Sequence, residues 1–125
     1  KRRPKANVAE VMNLIGDVEG RTCILVDDMV DTAGTICAAV DTLIEHGASD
    51  VLCATTHAVF SGPAVERLKS SRLSKVIVTD TVPLPEAKRF DKLEVLSASG
   101  ILADALEAVF EDTSVSEIFD GDNLS

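Results

Sequence analysis

The sequence predicts one α/β domain built on a parallel sheet, and three observations lead to that fold class. The chain has 125 residues, 46% of them apolar, which suffices for one domain with a buried core. Short apolar runs of strand length alternate with longer segments in which apolar residues recur at helical spacing. Because strand, helix and strand in this order form a right-handed crossover, the alternation predicts parallel strands.

The first predicted elements are two strands around a glycine turn. Residues from about Glu10 to Ile15 are predicted to pair as a hairpin with Thr22 to Asp27, although Asn7 to Glu10 also has the form of a capping box that would begin a helix. The second strand is too short for a helix and lacks polar alternation. It is therefore predicted to be buried on both faces of the sheet.

The elements that follow alternate in type. A helix is predicted from about Ile36, with Gly47 after it as a carboxyl cap. A strand from Val51 to Thr56 leads to His57, whose preferred interpretation is a hydrogen-bonded structural histidine. The remaining elements are a turn at 61–63, a short helix from Ala64 to Ser70, strands at Lys75 to Thr79 and Leu93 to Ser97, a helix from about Ser99 to Phe110 with Asp104, Glu107 and Glu111 on its polar face, and an apolar tail segment from Thr113 to Phe119.

Charge and composition narrow the class of partner. The net charge is −9, and residues 93–125 carry eight acids and no Lys or Arg, which argues against a nucleic-acid backbone as ligand. No apolar run approaches the roughly 20 residues of a membrane-spanning helix, so the sequence predicts a cytoplasmic protein that binds no membrane. Cys23, Cys37 and Cys53 lack metal-site spacing and are predicted to be buried, reduced thiols.

The residues after the first apolar strand have the composition of a ligand site. Asp27, Asp28 and Asp31 precede Thr32, and the turn 33–35 can bring backbone amides close to a ligand as a helix begins. Amides and hydroxyls at a helix amino terminus suit a phosphate. Carboxylates repel a phosphate, so they are predicted to face sugar hydroxyls or a divalent metal. A ligand that carries both a phosphate and a diol would bind the amides and hydroxyls through its phosphate and the carboxylates through its diol.

This stretch resembles the phosphoribosyl-diphosphate loop, an apolar strand followed by Asp-Asp-x-x-Asp-Thr-Ala-Gly-Thr. With Val59 to Arg67 and the opening Lys1 to Pro4, nearly the whole chain resembles the carboxyl-terminal part of a class I ribose-phosphate diphosphokinase. The resemblance implies a type I phosphoribosyltransferase fold that forms the carboxyl-terminal domain of a two-domain enzyme. It implies a flexible catalytic loop that includes residues 1–6, a ribose 5-phosphate loop at 27–35 and a tail at 113–125.

The resemblance also implies residue roles. Lys1 and Arg3 would be catalytic, and Arg3 would also contact substrate. The implied ribose 5-phosphate-binding residues are Asp27, Asp31, Thr32, Ala33, Gly34 and Thr35. Mg²⁺ is the implied cofactor, with no metal ligand assigned within this chain.

The implied reaction moves the diphosphoryl group of ATP to the anomeric hydroxyl of ribose 5-phosphate, giving 5-phosphoribosyl 1-diphosphate and AMP for nucleotide biosynthesis, in a homohexamer. A phosphoribosyltransferase and a non-catalytic regulatory relative share the acidic loop and remain alternatives. The cations of Lys1 to Arg3 favour the diphosphokinase, because diphosphoryl transfer needs positive charge away from the ribose site. The isolated chain is expected to be inactive, since the nucleotide site would lie upstream of it.

Overall fold

Four parallel strands form the sheet in a computed structural model of the chain, which describes residues 14–111. The strands follow one another across the sheet in chain order, β1-β2-β3-β4. Their bounds are Thr22–Val30 for β1, Asp50–Ala58 for β2, Lys75–Thr79 for β3 and Leu93–Leu96 for β4. Three α-helices accompany them: α1 at Gly34–Glu45, α2 at Ala64–Ser70 and α3 at Ser99–Phe110. The predicted parallel α/β architecture is confirmed.

The core lies between the sheet and the first two helices. Because every crossover adds the next strand on the same edge, the right-handed rule places α1 and α2 on one face of the sheet. The two helices touch there, since the Cys37 thiol on α1 donates to the Arg67 carbonyl of α2 at 3.6 Å. Side chains buried between these layers include Val40, Leu43, Val51, Leu68, Val76 and Val78.

The opposite face of the sheet carries exposed apolar side chains. Cys23 and Leu25 pack against the core, but Ile24 and Val26 are 61% and 80% exposed. A shallow cavity of about 210 Å³ opens beside Val26 on this part of the sheet. The prediction that β1 is buried on both faces is therefore wrong for the described part of the chain, because sequential crossovers stack α1 and α2 on one side only.

The first two strands run further than the sequence predicts. β1 continues to Val30 and β2 to Ala58, and the added residues pair in register, with Val30 opposite Ala58. Asp27 and His57 thus lie within strands and not after them. Of the predicted hairpin strand, residues 10–13 lie outside the described residues, while Leu14 and Ile15 are described and belong to no strand.

The end of α1 confirms the predicted glycine cap. Gly47 has φ +94°, its amide donates to the Ile44 carbonyl at 3.0 Å, and the Ala48 amide donates to the Leu43 carbonyl at 3.0 Å. These are the two bonds of a Schellman motif, in which the left-handed residue is usually glycine.

The later helices and strands have bounds close to those predicted from the sequence, but the burial of α3 differs from the prediction. α2 and β3 have the predicted bounds, β4 ends one residue earlier at Leu96, and α3 occupies the predicted range. The apolar stripe of α3 is exposed in the described structure, contrary to the amphipathic prediction of a packed face; its exposed members are Ile101, Leu102, Leu106, Val109 and Phe110. The tail segment 113–119 lies outside the described residues. No helix within residues 14–111 is long and apolar enough to cross a membrane.

The three cysteines carry free thiols, and their burial is uneven. Cys53 is fully buried, whereas Cys23 and Cys37 are half-buried. The prediction of buried thiols is thus correct for Cys53 and overstated for the other two.

Candidate functional site

The acidic turn joins the carboxyl end of β1 to the amino end of α1. Asp31 and Thr32 are exposed, and Ala33 is buried with φ +66°, in the left-handed region that residues with a side chain seldom occupy. A left-handed non-glycine residue persists only where surrounding contacts hold it. The turn is therefore a fixed feature of this fold that reverses the chain sharply before Gly34.

Helix α1 begins without the usual protein partners for its first amides. No side chain caps it, and no acidic residue lies in its first turn. The first amides of a helix have no partner within the helix, and its dipole favours negative charge there. The amino end of α1, with the Thr35 hydroxyl beside it, is chemically suited to an anion such as a phosphate.

Three carboxylates precede this end of the helix along the chain. Asp27 and Asp28 lie in β1 and are exposed, and Asp27 Oδ1 accepts a hydrogen bond from the Asp28 amide at 2.8 Å. Asp27 lies opposite Thr55 of β2 in the parallel register. Among residues 14–111 no three His, Cys, Asp or Glu side chains come together as a metal site.

The connection between β2 and α2 supports the acidic turn from the side. The amides of Val59 and Phe60 both donate to the Val30 carbonyl at 3.1 Å, and the Ser61 amide donates to the Asp31 carbonyl at 2.9 Å. Phe60 is buried and itself has φ +52°. Two strained turns from neighbouring strands therefore hold each other at the carboxyl edge of the sheet, where parallel α/β folds place their ligands.

Arg67 adds a side-chain contact that sequence reasoning did not find. Its Nη1 donates to the Thr32 carbonyl at 3.1 Å. The sequence predicted Arg67 to lie in the short helix that follows the turn at 61–63, but it predicted no contact between Arg67 and the acidic turn. The available signal was its position, since a turn that follows the strand next to β1 must lie beside the turn that follows β1.

His57 belongs to a separate hydrogen-bonded group at the same edge. Its Nδ1 lies 2.7 Å from Thr81 Oγ1, and Thr81 Oγ1 donates to the Thr56 carbonyl at 3.1 Å. The Thr56 carbonyl also accepts from Thr79 Oγ1 at 2.6 Å. This bonding supports the interpretation of His57 as a structural histidine.

The predicted site residues divide into two groups. The residues that the structure brings together in the turn and the adjoining strand end are Asp27, Asp31, Thr32, Ala33, Gly34 and Thr35. Lys1 and Arg3 lie outside the described residues, and their roles stay predictions.

Comparisons with known proteins bear on the same residues. The family model described as phosphoribosyl synthetase-associated domain matches residues 3–120. The chain is 55% identical over 119 residues to a ribose-phosphate pyrophosphokinase of Caldanaerobacter subterraneus subsp. tengcongensis, covering 95% of this chain and 38% of the relative. It is 56% identical over 120 residues to the ribose-phosphate pyrophosphokinase of Chromobacterium violaceum, covering 95% of this chain and 37% of the relative.

A solved structure agrees with these matches. The crystal structure of phosphoribosylpyrophosphate synthetase from Mycobacterium smegmatis superimposes with a TM-score of 0.75 at 54% sequence identity, covering 78% of this chain and 33% of that chain. The chain therefore spans well under half the length of the relatives it matches. The expectation that it corresponds to their carboxyl-terminal part stays a prediction.

Proposed function

The chain belongs to the phosphoribosyl synthetase-associated domain family, and from that premise we propose that it supplies the ribose 5-phosphate site of a ribose-phosphate diphosphokinase. The observation that carries the proposal is the uncapped amino end of α1, reached through the left-handed Ala33 and preceded by exposed carboxylates. One short turn thus offers donors for a phosphate and acceptors for a diol.

The phosphate and the ribose of the substrate are proposed to bind different groups at this site. The amides of residues 32–35 and the hydroxyls of Thr32 and Thr35 hold the 5-phosphate, which the dipole of α1 also favours. Asp27 and Asp31 accept hydrogen bonds from ribose hydroxyls, as ionised carboxylates do strongly. Asp28 supports the turn. This division keeps negative carboxylates off the negative phosphate.

The proposed chemistry is diphosphoryl transfer from ATP. The anomeric oxygen of ribose 5-phosphate forms a bond to the β-phosphorus, the bond from that phosphorus to the bridging α,β-oxygen breaks, and AMP leaves with the bridging oxygen. The hydroxyl proton is released. Lys1 and Arg3 are proposed to stabilise the charge that develops on the transferred group, which is how cations accelerate phosphoryl transfer.

The proposal extends to the whole enzyme. Its proposed substrates are ATP and ribose 5-phosphate, and its product serves nucleotide biosynthesis. The proposed assembly is a homohexamer. Mg²⁺ is the proposed cofactor, and when bound it would neutralise charge on the reacting phosphates, as Mg²⁺ commonly does with one or two carboxylates and substrate phosphates as ligands.

Calorimetric titration of the full-length enzyme with ribose 5-phosphate tests the site. Because losing a charged hydrogen-bond partner costs roughly 1.5–3 kcal/mol, Asp31→Ala should weaken binding by about one to two orders of magnitude. Asp91→Ala is the control, since Asp91 is equally an exposed acid but precedes β4 at the opposite edge of the sheet. Equal affinities for the two variants would contradict the assigned site, and wild-type enzyme that releases no AMP from ATP and ribose 5-phosphate would contradict the function.

A further inference from the structure

Arg67 is a cation that contacts the acidic turn in the described structure. It lies in α2, 35 residues along the chain from Thr32, whose carbonyl accepts from Nη1 at 3.1 Å. A Cβ atom built on Gly34 would lie 3.3 Å from the same nitrogen. The guanidinium thus fills the space beside Gly34, at the first residue of α1.

Within residues 14–111 Arg67 takes part in no ion pair. Other exposed cations do: Arg72 pairs with Asp41 at 2.9 Å, and Lys75 pairs with Glu94 at 3.0 Å. Even Glu66, the neighbour of Arg67 in sequence, pairs with Lys69 instead. A guanidinium stays protonated and has five N–H donors, so Arg67 keeps positive charge and free donors beside the turn.

The hydrogen bond to Thr32 also has a directional consequence. In a trans peptide the carbonyl and the following N–H point in opposite directions. When Arg67 holds the Thr32 carbonyl toward α2, the Ala33 amide must point away from α2. This fixes the peptide that leads into the left-handed Ala33, and with it the direction in which α1 presents its first amides.

We propose that Arg67 is a positioning and specificity residue for the phosphate of the sugar substrate. It holds the Thr32 peptide in the orientation that turns the Ala33 amide away from α2 and toward the phosphate, and its unpaired charge adds positive potential to the turn that receives the phosphate. The inference rests on the proposed function, because it assigns the anion at this turn to the 5-phosphate. The alternative is that Arg67 only links α2 to the turn and contributes to stability without affecting phosphate binding.

Steady-state kinetics of the full-length enzyme distinguish a role in phosphate binding from a purely structural role. Arg67→Met removes the charge and the donors but retains an unbranched stem. It is expected to raise the KM for ribose 5-phosphate about tenfold, the lower end for a charged hydrogen bond, while the KM for ATP and the thermal midpoint stay near those of the wild type. Arg67→Lys, which keeps the charge with a shorter reach, is expected to raise the KM for ribose 5-phosphate about threefold.

Arg72→Met is the matched control. Arg72 is an exposed arginine just after α2, and its guanidinium bonds Asp41, away from the turn. Its removal should leave both KM values unchanged within about twofold.

Each other outcome overturns the inference. If Arg67→Met lowers the thermal midpoint and raises both KM values together, Arg67 is only a structural link. If Arg67→Met does not fold, an unchanged KM for ribose 5-phosphate in Arg67→Lys decides against the proposal. The activity of the wild-type enzyme distinguishes failure of the proposed function from failure of this inference. If the wild type is inactive, both are contradicted. If the wild type is active and the Arg67 variants have unchanged KM values, only this inference is contradicted.

Discussion

Cys53 shows how a single residue is governed by its surroundings. It lies in the middle of β2 with no exposed surface. Burial raises the pKa of its thiol to about 11, and the nearby negative charge of Asp27 and the thiol of Cys37 act in the same direction. Since the thiolate is the nucleophile, the folded protein holds Cys53 in its unreactive form at neutral pH.

Alkylation therefore distinguishes the cysteines. With iodoacetamide at pH 8, Cys53 should remain unmodified in the folded chain and react fully in urea, as followed by peptide mass spectrometry. Half-buried Cys23 is the internal control and should be modified in the folded state. Modification of Cys53 at the same rate with and without urea would contradict the buried placement of β2.

Gly47 and Gly100 illustrate what glycine does for two different elements. Gly47 ends α1 with φ +94°, and a Cβ there would lie 3.0 Å from Glu19 Cγ. Gly100 lies in the first turn of α3, where a Cβ would meet nothing within 4 Å. One glycine is required by the backbone, and the other only adds freedom to the unfolded chain.

The same substitution should consequently have opposite signs. Gly47→Ala should lower the free energy of unfolding by about 1–2 kcal/mol, the cost of a left-handed residue with a side chain. Gly100→Ala should raise it by about 0.5–1 kcal/mol. Urea denaturation of the 125-residue chain at one protein concentration measures both. A loss of stability in both variants would mean that α3 does not begin as described.

Asp80 connects β3 to the start of α3. Its Oδ1 accepts from the Ala98 amide at 2.8 Å, and that bond is the main reason why the pKa of Asp80 is below its ordinary value of 3.8. Partial desolvation opposes the shift, and a hydrogen bond from the Ser97 side chain adds to it. The ionised carboxylate thus supports the amino end of α3.

The sign of the pH dependence follows from that lowered pKa. A carboxyl group that is more acidic when folded contributes stability above its unfolded pKa and loses it as pH falls through the folded pKa. The Ala98 amide resonance should therefore titrate with a midpoint below 3.8, and Asp80→Asn should abolish that titration. A midpoint at or above 3.8 would contradict the hydrogen bond.

The whole molecule combines a packed face with an exposed one. α1 and α2 bury one side of the sheet, while Ile24, Val26 and Leu96 are exposed on the other side. The chain also spans only about 38% of the length of its relatives. Phosphoryl transfer depends on holding donor and acceptor in line, and the site proposed within the described residues is for the acceptor.

The isolated 125-residue chain is accordingly expected to fold but not to catalyse the reaction of ATP with ribose 5-phosphate. Far-ultraviolet circular dichroism should show mixed helix and strand, and AMP release from ATP and ribose 5-phosphate should stay at background, while the full-length enzyme is active in the same assay. Turnover by the isolated chain would mean that the donor site lies within these residues.

The sequence alone determined the features that depend on neighbouring residues. The alternation of apolar runs predicted the parallel sheet, α2 and β3 have their predicted bounds, and Gly47 ends α1 as expected. The acidic turn was also predictable, because its residues are contiguous and the chain itself brings them together.

Tertiary structure decided the features that join distant parts of the chain. The extension of β1 and β2 to Val30 and Ala58 depends on register between strands, and the exposure of Val26 depends on which face the crossovers leave uncovered. The contact of Arg67 with Thr32 spans 35 residues. Local pattern specifies which elements form, since propensity and periodicity act over a few residues, whereas burial and partner choice arise only when the crossovers bring separate elements together.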